Sequence, residues 1–170
     1  MPLYFAYGSN MDSAAMAKRC PKARVMGLAR LPRHRFFIMS EGYASIKRDP
    51  RRSVLGVLWD VPLSDIPALD RYESLHSGLY SKITQPVVID QAGTGSGLVK
   101  GTSKRALLYV GRSGTAGKPK SGYLENVHFR DGSLVKQGDL LFSIDRRPFQ
   151  NTLDQARANL AQAISNRDYT

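Results

Sequence analysis

Near the N-terminus, Tyr4-Phe5-Ala6-Tyr7-Gly8-Ser9-Asn10 carries an apolar stretch straight into a Gly-Ser-Asn turn. Successive backbone N–H groups in such a turn can converge on an anion, and Gly8 lets one approach closely. A second group with chemical potential is Glu73. Ile66, Leu69 and Glu73 stand at i, i+3 and i+7, so a helix there places all three on one face, the carboxylate on the stripe that packs inward. A carboxylate buried without a cationic partner titrates above its ordinary value of ~4.3 and can take up and release protons near neutral pH. Spacing alone leaves a second reading open, in which Glu73 ends the helix or pairs with an arginine at its rim.

The elements that must position these groups are short. Residues 3–7 read as a strand, and Met11 to Arg19 as a helix capped by Asp12 or Ser13, with Met16 inward. Further strands are expected over 35–39, 54–59, 80–89 and 106–110. A Gly/Ser/Thr-rich loop spans 91–104, and Ser64 is placed to cap a short helix from Asp65 to about Glu73. Strands dominate residues 1–112, which predicts an α+β fold on a mixed or antiparallel sheet able to curl into a barrel.

The 170 residues suffice for one domain with a sizeable core, or one domain plus a fragment. The single cysteine, Cys20, rules out a disulfide framework within the chain and reads as a packed, unreactive thiol. The sequence has no signal-peptide pattern and no apolar run near ~20 residues, which points to a soluble cytoplasmic protein with no membrane anchor. His34, His76 and His128 lack metal-ligand spacing. Residues 1–120 hold 19 Lys and Arg against 8 Asp and Glu, whereas residues 121–170 hold 6 of each, so the net charge of +11 lies wholly in the first part. A basic solvated surface or attraction of small anionic substrates accounts for it. Nucleic acid is the weakest reading, since no zinc-finger, basic-zipper or RNA-recognition pattern accompanies the scattered cations.

Taken together, Tyr4-Phe5-Ala6-Tyr7-Gly8-Ser9-Asn10-Met11, Gly56-Val57-Leu58-Trp59, Leu69-Asp70-Arg71-Tyr72-Glu73 and Gly78-Leu79-Tyr80 resemble the γ-glutamylcyclotransferase family over roughly residues 3–126. The resemblance implies a small mixed β-barrel with flanking short helices, and a site that holds a γ-glutamyl group on the loop Tyr7, Gly8, Ser9 and Asn10, with Tyr4, Phe5 and Ala6 leading in. It implies Glu73 as the catalytic acid/base, and Tyr80, Tyr109 and Tyr123 as further pocket tyrosines. The implied reaction releases 5-oxoproline and an amine or amino acid, with a small γ-glutamyl substrate and no metal or organic cofactor.

Beyond Asn126 the pattern changes. His128-Phe129-Arg130-Asp131-Gly132 breaks the helix the family continues with, and Leu134-Val135-Lys136-Gln137-Gly138-Asp139-Leu140-Leu141-Phe142-Ser143-Ile144-Asp145 reads as a turn and strand. Residues 121–170 resemble the membrane-fusion (periplasmic adaptor) proteins of efflux and secretion systems, where this run is the first half of a lipoyl-like domain and the following segment enters a helical hairpin. In that segment, Phe149 to Asp168, Leu153, Ala156, Leu160, Ala163 and Arg167 keep 3-4-3-4 spacing, which suits a coiled-coil seam until Arg167. The domains expected are therefore 1–126, γ-glutamylcyclotransferase-like, and 127–170, a partial lipoyl and hairpin fragment of one strand and one helix. That seam suggests a chimera. It leaves two expectations: an enzyme using Glu73, or a catalytically impaired small-ligand-binding or interaction protein that self-associates through its C-terminal helix.

Overall fold

The computed structural model of the chain describes residues 2–120 and, beyond them, the pairs Asn126–Val127 and Phe142–Ser143. The chain divides into two units, Met1–Pro119 and Lys120–Thr170.

The first unit is a closed barrel of five strands, β1 (Leu3–Ala6), β2 (Arg24–Ile38), β3 (Ala44–Asp60), β4 (Tyr80–Ala92) and β5 (Ser103–Gly111), in the order β1-β3-β2-β4-β5. Neighbours are antiparallel except where β5 closes onto β1, a parallel contact at Tyr4 and Leu107. This is the α+β barrel with short helices that the sequence predicts.

Strand alternation gives each wall two faces. Ala29, Leu31, Val54, Leu58, Ile89, Ala106 and Leu108 are buried, while Leu28 and Leu55 between them are exposed. Phe5 belongs with this inward set, registered opposite Leu58. A Cβ added at Gly56 would fall 2.7 Å from the Phe5 ring and 2.3 Å from the Ala6 carbonyl oxygen, so the glycine makes room for Phe5. Tyr4, Ala6, Trp59 and Tyr109 form a second apolar layer with Met16, Cys20 and Leu69 of the helices. The site is built on that outer layer.

The strands β2 and β3 run well beyond the expected 35–39 and 54–59. Their hairpin is interrupted by register shifts between Val25 and Gly27 and between Pro32 and His34. Gly27 has φ of +141° with the Gln91 carbonyl where a Cβ would stand, and Arg33 has φ of +58°. Such bulges break the period-2 pattern by which a strand is read from sequence.

Two helices lie against the outer layer, α1 (Ser13–Arg19) and α2 (Ile66–Tyr72). Asp12 caps α1, accepting a 2.7 Å hydrogen bond from the Ala15 N–H, as expected. Ser64 does not cap α2. A 3-10 turn, Leu63–Asp65, precedes the helix, and the Ser64 hydroxyl donates to Asp65 at 3.0 Å. The buried Asp65 carboxylate also accepts from the Lys22 N–H at 3.3 Å, which ties the segment after α1 to the start of α2. The second unit contains β6 (Asn126–Val127) paired antiparallel with β7 (Phe142–Ser143). Tyr123 and the helix expected over 149–168 lie outside the described residues.

Candidate active site

The chain leaves β1 at Ala6 and enters a 3-10 turn, Ser9–Met11, with Gly8 as its N-terminal cap. The Met11 N–H bonds back to the Gly8 carbonyl at 2.9 Å, so the Ser9 and Asn10 N–H groups fall in the first turn, where a helix supplies no acceptor of its own. Asn10, buried, turns towards α2. On that side, α2 stops abruptly: Glu73 is its C-terminal cap, its N–H bonded to the Leu69 carbonyl at 2.9 Å, and Ser74 follows with φ of +50°. Glu73 both ends the helix and points inward, which joins the two readings its spacing left open.

The loop and the carboxylate meet directly. Asn10 Nδ2 donates to Glu73 Oε1 at 2.8 Å and to the Tyr4 hydroxyl at 2.9 Å, so one amide group joins the loop, β1 and the carboxylate. One residue back along the chain, at the end of α2, the Tyr72 hydroxyl lies 2.9 Å from Ser9 Oγ. Burial raises the Glu73 carboxyl from 4.5 to about 7, against the opposing pull of the Arg19 charge and the Tyr4 hydrogen bond. The Tyr4 hydroxyl is pushed well up by its own burial and by the Glu73 charge, so it stays protonated and acts as a neutral donor.

The other expected residues take distinct places. The Tyr109 hydroxyl donates to Asp70 Oδ1 at 2.6 Å, and its ring meets the Tyr4 ring edge-on at 5.8 Å; burial and the Asp70 hydrogen bond raise its pKa far above the ordinary range. Lys82 closes on the same Asp70 carboxylate at 2.7 and 2.8 Å. Tyr7 and Tyr80 turn their hydroxyls to backbone carbonyls, those of Tyr109 and Ala44, and so brace the wall. Ala6 packs in the helix-facing layer. Phe5 lies on the opposite face of β1 from Tyr4, its ring buried beside Gly56 and registered opposite Leu58.

Arg19, Tyr72 and Asp70 stand beside these groups and were not named as site residues from the sequence, although Asp70 and Tyr72 lie in the Leu69–Glu73 motif. The Arg19 guanidinium lies 3.5 Å over the Tyr72 ring and donates from Nη1 to Asn10 Oδ1. A basic residue in the last turn of α1, three after the buried Met16, is the only sequence signal for it. Among the described residues no cluster of three or more His, Cys, Asp or Glu side chains could hold a metal ion.

A barrel whose first strand runs into a Gly-Ser-Asn turn, bonded to a buried glutamate at the end of a short helix, is the arrangement to compare with known proteins. The sequence model described as gamma-glutamyl cyclotransferase, AIG2-like, matches residues 4–126. The chain belongs to this family. The mouse gamma-glutamylcyclotransferase is 38% identical over 88 residues, covering 46% of this chain and 47% of its own length. The human gamma-glutamylcyclotransferase is 33% identical over 99 residues, covering 52% and 53%. The chain thus spans about half the length of these cyclotransferase relatives. A solved gamma-glutamyl cyclotransferase structure superposes with a TM-score of 0.58 at 27% identity, over 66% of this chain and 67% of that one, which agrees with the cyclotransferase barrel described above. Residues 117–164 match a second model, the barrel-sandwich hybrid domain of RND membrane-fusion proteins. There the multidrug resistance protein MdtA of Photorhabdus laumondii is 54% identical over 41 residues, which cover 24% of this chain and 10% of MdtA. Among the described residues, no helix is long and apolar enough to cross a membrane.

Proposed function

We propose that the first unit cyclises the γ-glutamyl group of γ-glutamyl amines or amino acids to 5-oxoproline, with release of the amine, and that Glu73 moves the protons. The observation that carries this reading is the 2.8 Å hydrogen bond joining Asn10 of the loop to Glu73. It puts the carboxylate within one side chain of the turn that would grip the substrate.

The reaction needs few parts. The substrate's α-amino nitrogen attacks its own γ-glutamyl carbonyl carbon. A carbon–nitrogen bond forms, closing a five-membered ring, and the old amide bond to the leaving nitrogen breaks. Because the nucleophile is intramolecular, holding the folded conformer supplies much of the acceleration. An ammonium group cannot attack, so a base removes a proton first. The α-nitrogen gives up two protons on its way from ammonium to lactam N–H, and the leaving nitrogen gains two on its way from amide to ammonium. No proton is consumed overall, and one carboxyl that alternates between its two forms can carry both transfers. A group that titrates at about 7 is well matched to that alternation. The backbone N–H groups at Ser9 and Asn10 would face the developing oxyanion or the substrate carboxylate, with Tyr4 as a neutral hydroxyl beside Glu73.

The test is a panel of γ-glutamyl amino acids and amines beside their α-glutamyl isomers, with 5-oxoproline measured directly. Release from γ-glutamyl compounds alone is expected. A protein that forms 5-oxoproline from none of them does not have this function.

A second reading has its own support in the match of residues 117–164 to a membrane-fusion domain. On that reading the chain is a fusion of two parents, its barrel a ligand-binding unit with impaired catalysis and its tail a self-associating segment. Sequencing the genomic locus across residues 118–130 tests the fusion. Sedimentation of the full chain against a chain ending at Asn126 tests the association.

A further inference from the structure

Asn10 can present either face of its amide to Glu73, and the two have opposite consequences. With Nδ2 towards Glu73 the amide donates to the carboxylate. With the amide turned over, Oδ1 would oppose a carboxylate oxygen. The geometry points to Arg19 as the positioning residue that decides between them: its guanidinium, stacked on Tyr72 and donating to Asn10, holds the amide in the one orientation that serves Glu73.

The argument is one of donors and acceptors. A guanidinium has five N–H donors and no acceptor, so the Asn10 atom that meets Arg19 Nη1 must be Oδ1. Nδ2 then lies on the far side, and both of its hydrogens are used, on Tyr4 and on Glu73. All the hydrogen bonds that hold Asn10 in place therefore follow from the position of Arg19. Arg19 is itself held. Its Cζ lies 3.5 Å from the centre of the Tyr72 ring, a position over an aromatic face that a guanidinium favours. The Tyr72 hydroxyl is fixed by Ser9, which returns to the loop that carries Asn10. Arg19, Asn10, Ser9, Tyr72 and Glu73 thus form a closed ring of contacts joining α1, the turn and α2. No reacting atom need touch Arg19 for this to matter.

The inference deepens the proposed function and rests on it for its catalytic consequence, but its physical content can be read on the resting protein. The groups that face Glu73 are Arg19 from α1, Asn10 from the turn, Tyr4 from β1 and Tyr109 from β5. Of these, Arg19 is the cation, and its charge favours the ionised carboxylate.

The experiment follows the Glu73 carboxyl by NMR of the full chain carrying carbon-13 glutamate, with the pH dependence of kcat/KM measured in parallel. In Arg19→Met the midpoint is expected to move up by roughly one pH unit. Below that midpoint kcat/KM then falls about tenfold, and the loss lies in kcat rather than KM. Arg19→Lys, which keeps a donor and a charge, is expected to bring the midpoint most of the way back. Tyr72→Leu, which removes the ring beneath the guanidinium, moves it in the same direction as Arg19→Met by less, and serves if Arg19→Met does not fold. A Glu73 midpoint unchanged in Tyr72→Leu, which keeps the Arg19 charge and removes only the ring that holds it, overturns the inference whatever the activity, as does a midpoint unchanged in Arg19→Met. Failure of the wild type to form 5-oxoproline refutes the proposed reaction and leaves the titration result to stand.

Discussion

Replacing Glu73 by glutamine should change how the stability of the barrel depends on pH, and by a predictable amount. The carboxyl titrates at 4.5 in an ordinary setting and at about 7 in the folded protein, burial being the largest cause. Between those values the native state keeps a proton that the unfolded chain has lost. The native state therefore binds more protons, and stability falls as pH rises. The stabilisation is fully present below pH 4.5 and gone once pH has passed through about 7. The interval corresponds to about 3 kcal/mol, a large share of the ~5–15 kcal/mol that holds a domain folded. Glutamine is neutral throughout and keeps an acceptor for Asn10, so it removes the titration without removing the hydrogen bond. The assay is urea unfolding of the full chain at pH 4.5 to 8.5, followed by the fluorescence of Trp59, which is the chain's one tryptophan and is buried in the layer beside Tyr4. Other titrating groups are common to both proteins and cancel in the difference. The stability of Glu73→Gln relative to wild type should climb by about 3 kcal/mol across the range. A difference that stays flat would mean that Glu73 is not held protonated by burial, and the proton-transfer role would lose its physical basis.

Further outcomes follow from the same structure. The acid limb of kcat/KM should have its midpoint near 7, since the base must be ionised to accept the first proton; a limb near 4.5 would assign it to another group. Cys20 is buried and its thiol is pushed up to about 11, chiefly by burial, so a thiol reagent at pH 7.5 should label it only in denaturant, and rapid labelling of the native protein would place it elsewhere. Gly56→Ala sets a methyl group against the Phe5 ring and the Ala6 carbonyl; overpacking of this kind should lower stability by about 2 kcal/mol or more, as read by the Trp59 unfolding curve. If the tail self-associates, sedimentation should show an oligomer of the full chain that a chain ending at Asn126 does not form.

The two ends of the site were legible because each is local. The strand into Gly8-Ser9-Asn10 is one continuous stretch, and the spacing of Ile66, Leu69 and Glu73 lies within a single helix. What joins them was not legible. Arg19 is 54 residues from Glu73 in a chain with 19 basic residues in its first 120, and its one local mark is its place in the last turn of α1, three residues after Met16. It becomes part of the site only because the C-terminal end of α1 meets α2 across long stretches of sequence, Arg19 on the Tyr72 ring and Cys20 and Lys22 on Asp65. Phe5 shows the converse: it lies inside the motif, yet strand alternation sends it to the other face. The lengths of β2 and β3 were hidden for a third reason, since the irregularities at Gly27 and Arg33 interrupt the alternation on which a strand is recognised. The Ser64 cap failed because the chain takes a 3-10 turn there before the helix begins.

The proton-transfer role proposed for Glu73, bonded to the Asn10 loop, is the step on which γ-glutamyl cyclisation by this barrel depends. It is tested most directly by measuring 5-oxoproline formation from one γ-glutamyl substrate by wild type and Glu73→Gln, both shown to be folded by the Trp59 signal. Glutamine cannot accept a proton, so kcat is expected to fall by about 100-fold or more, with KM little changed. Equal turnover by the two proteins would contradict it.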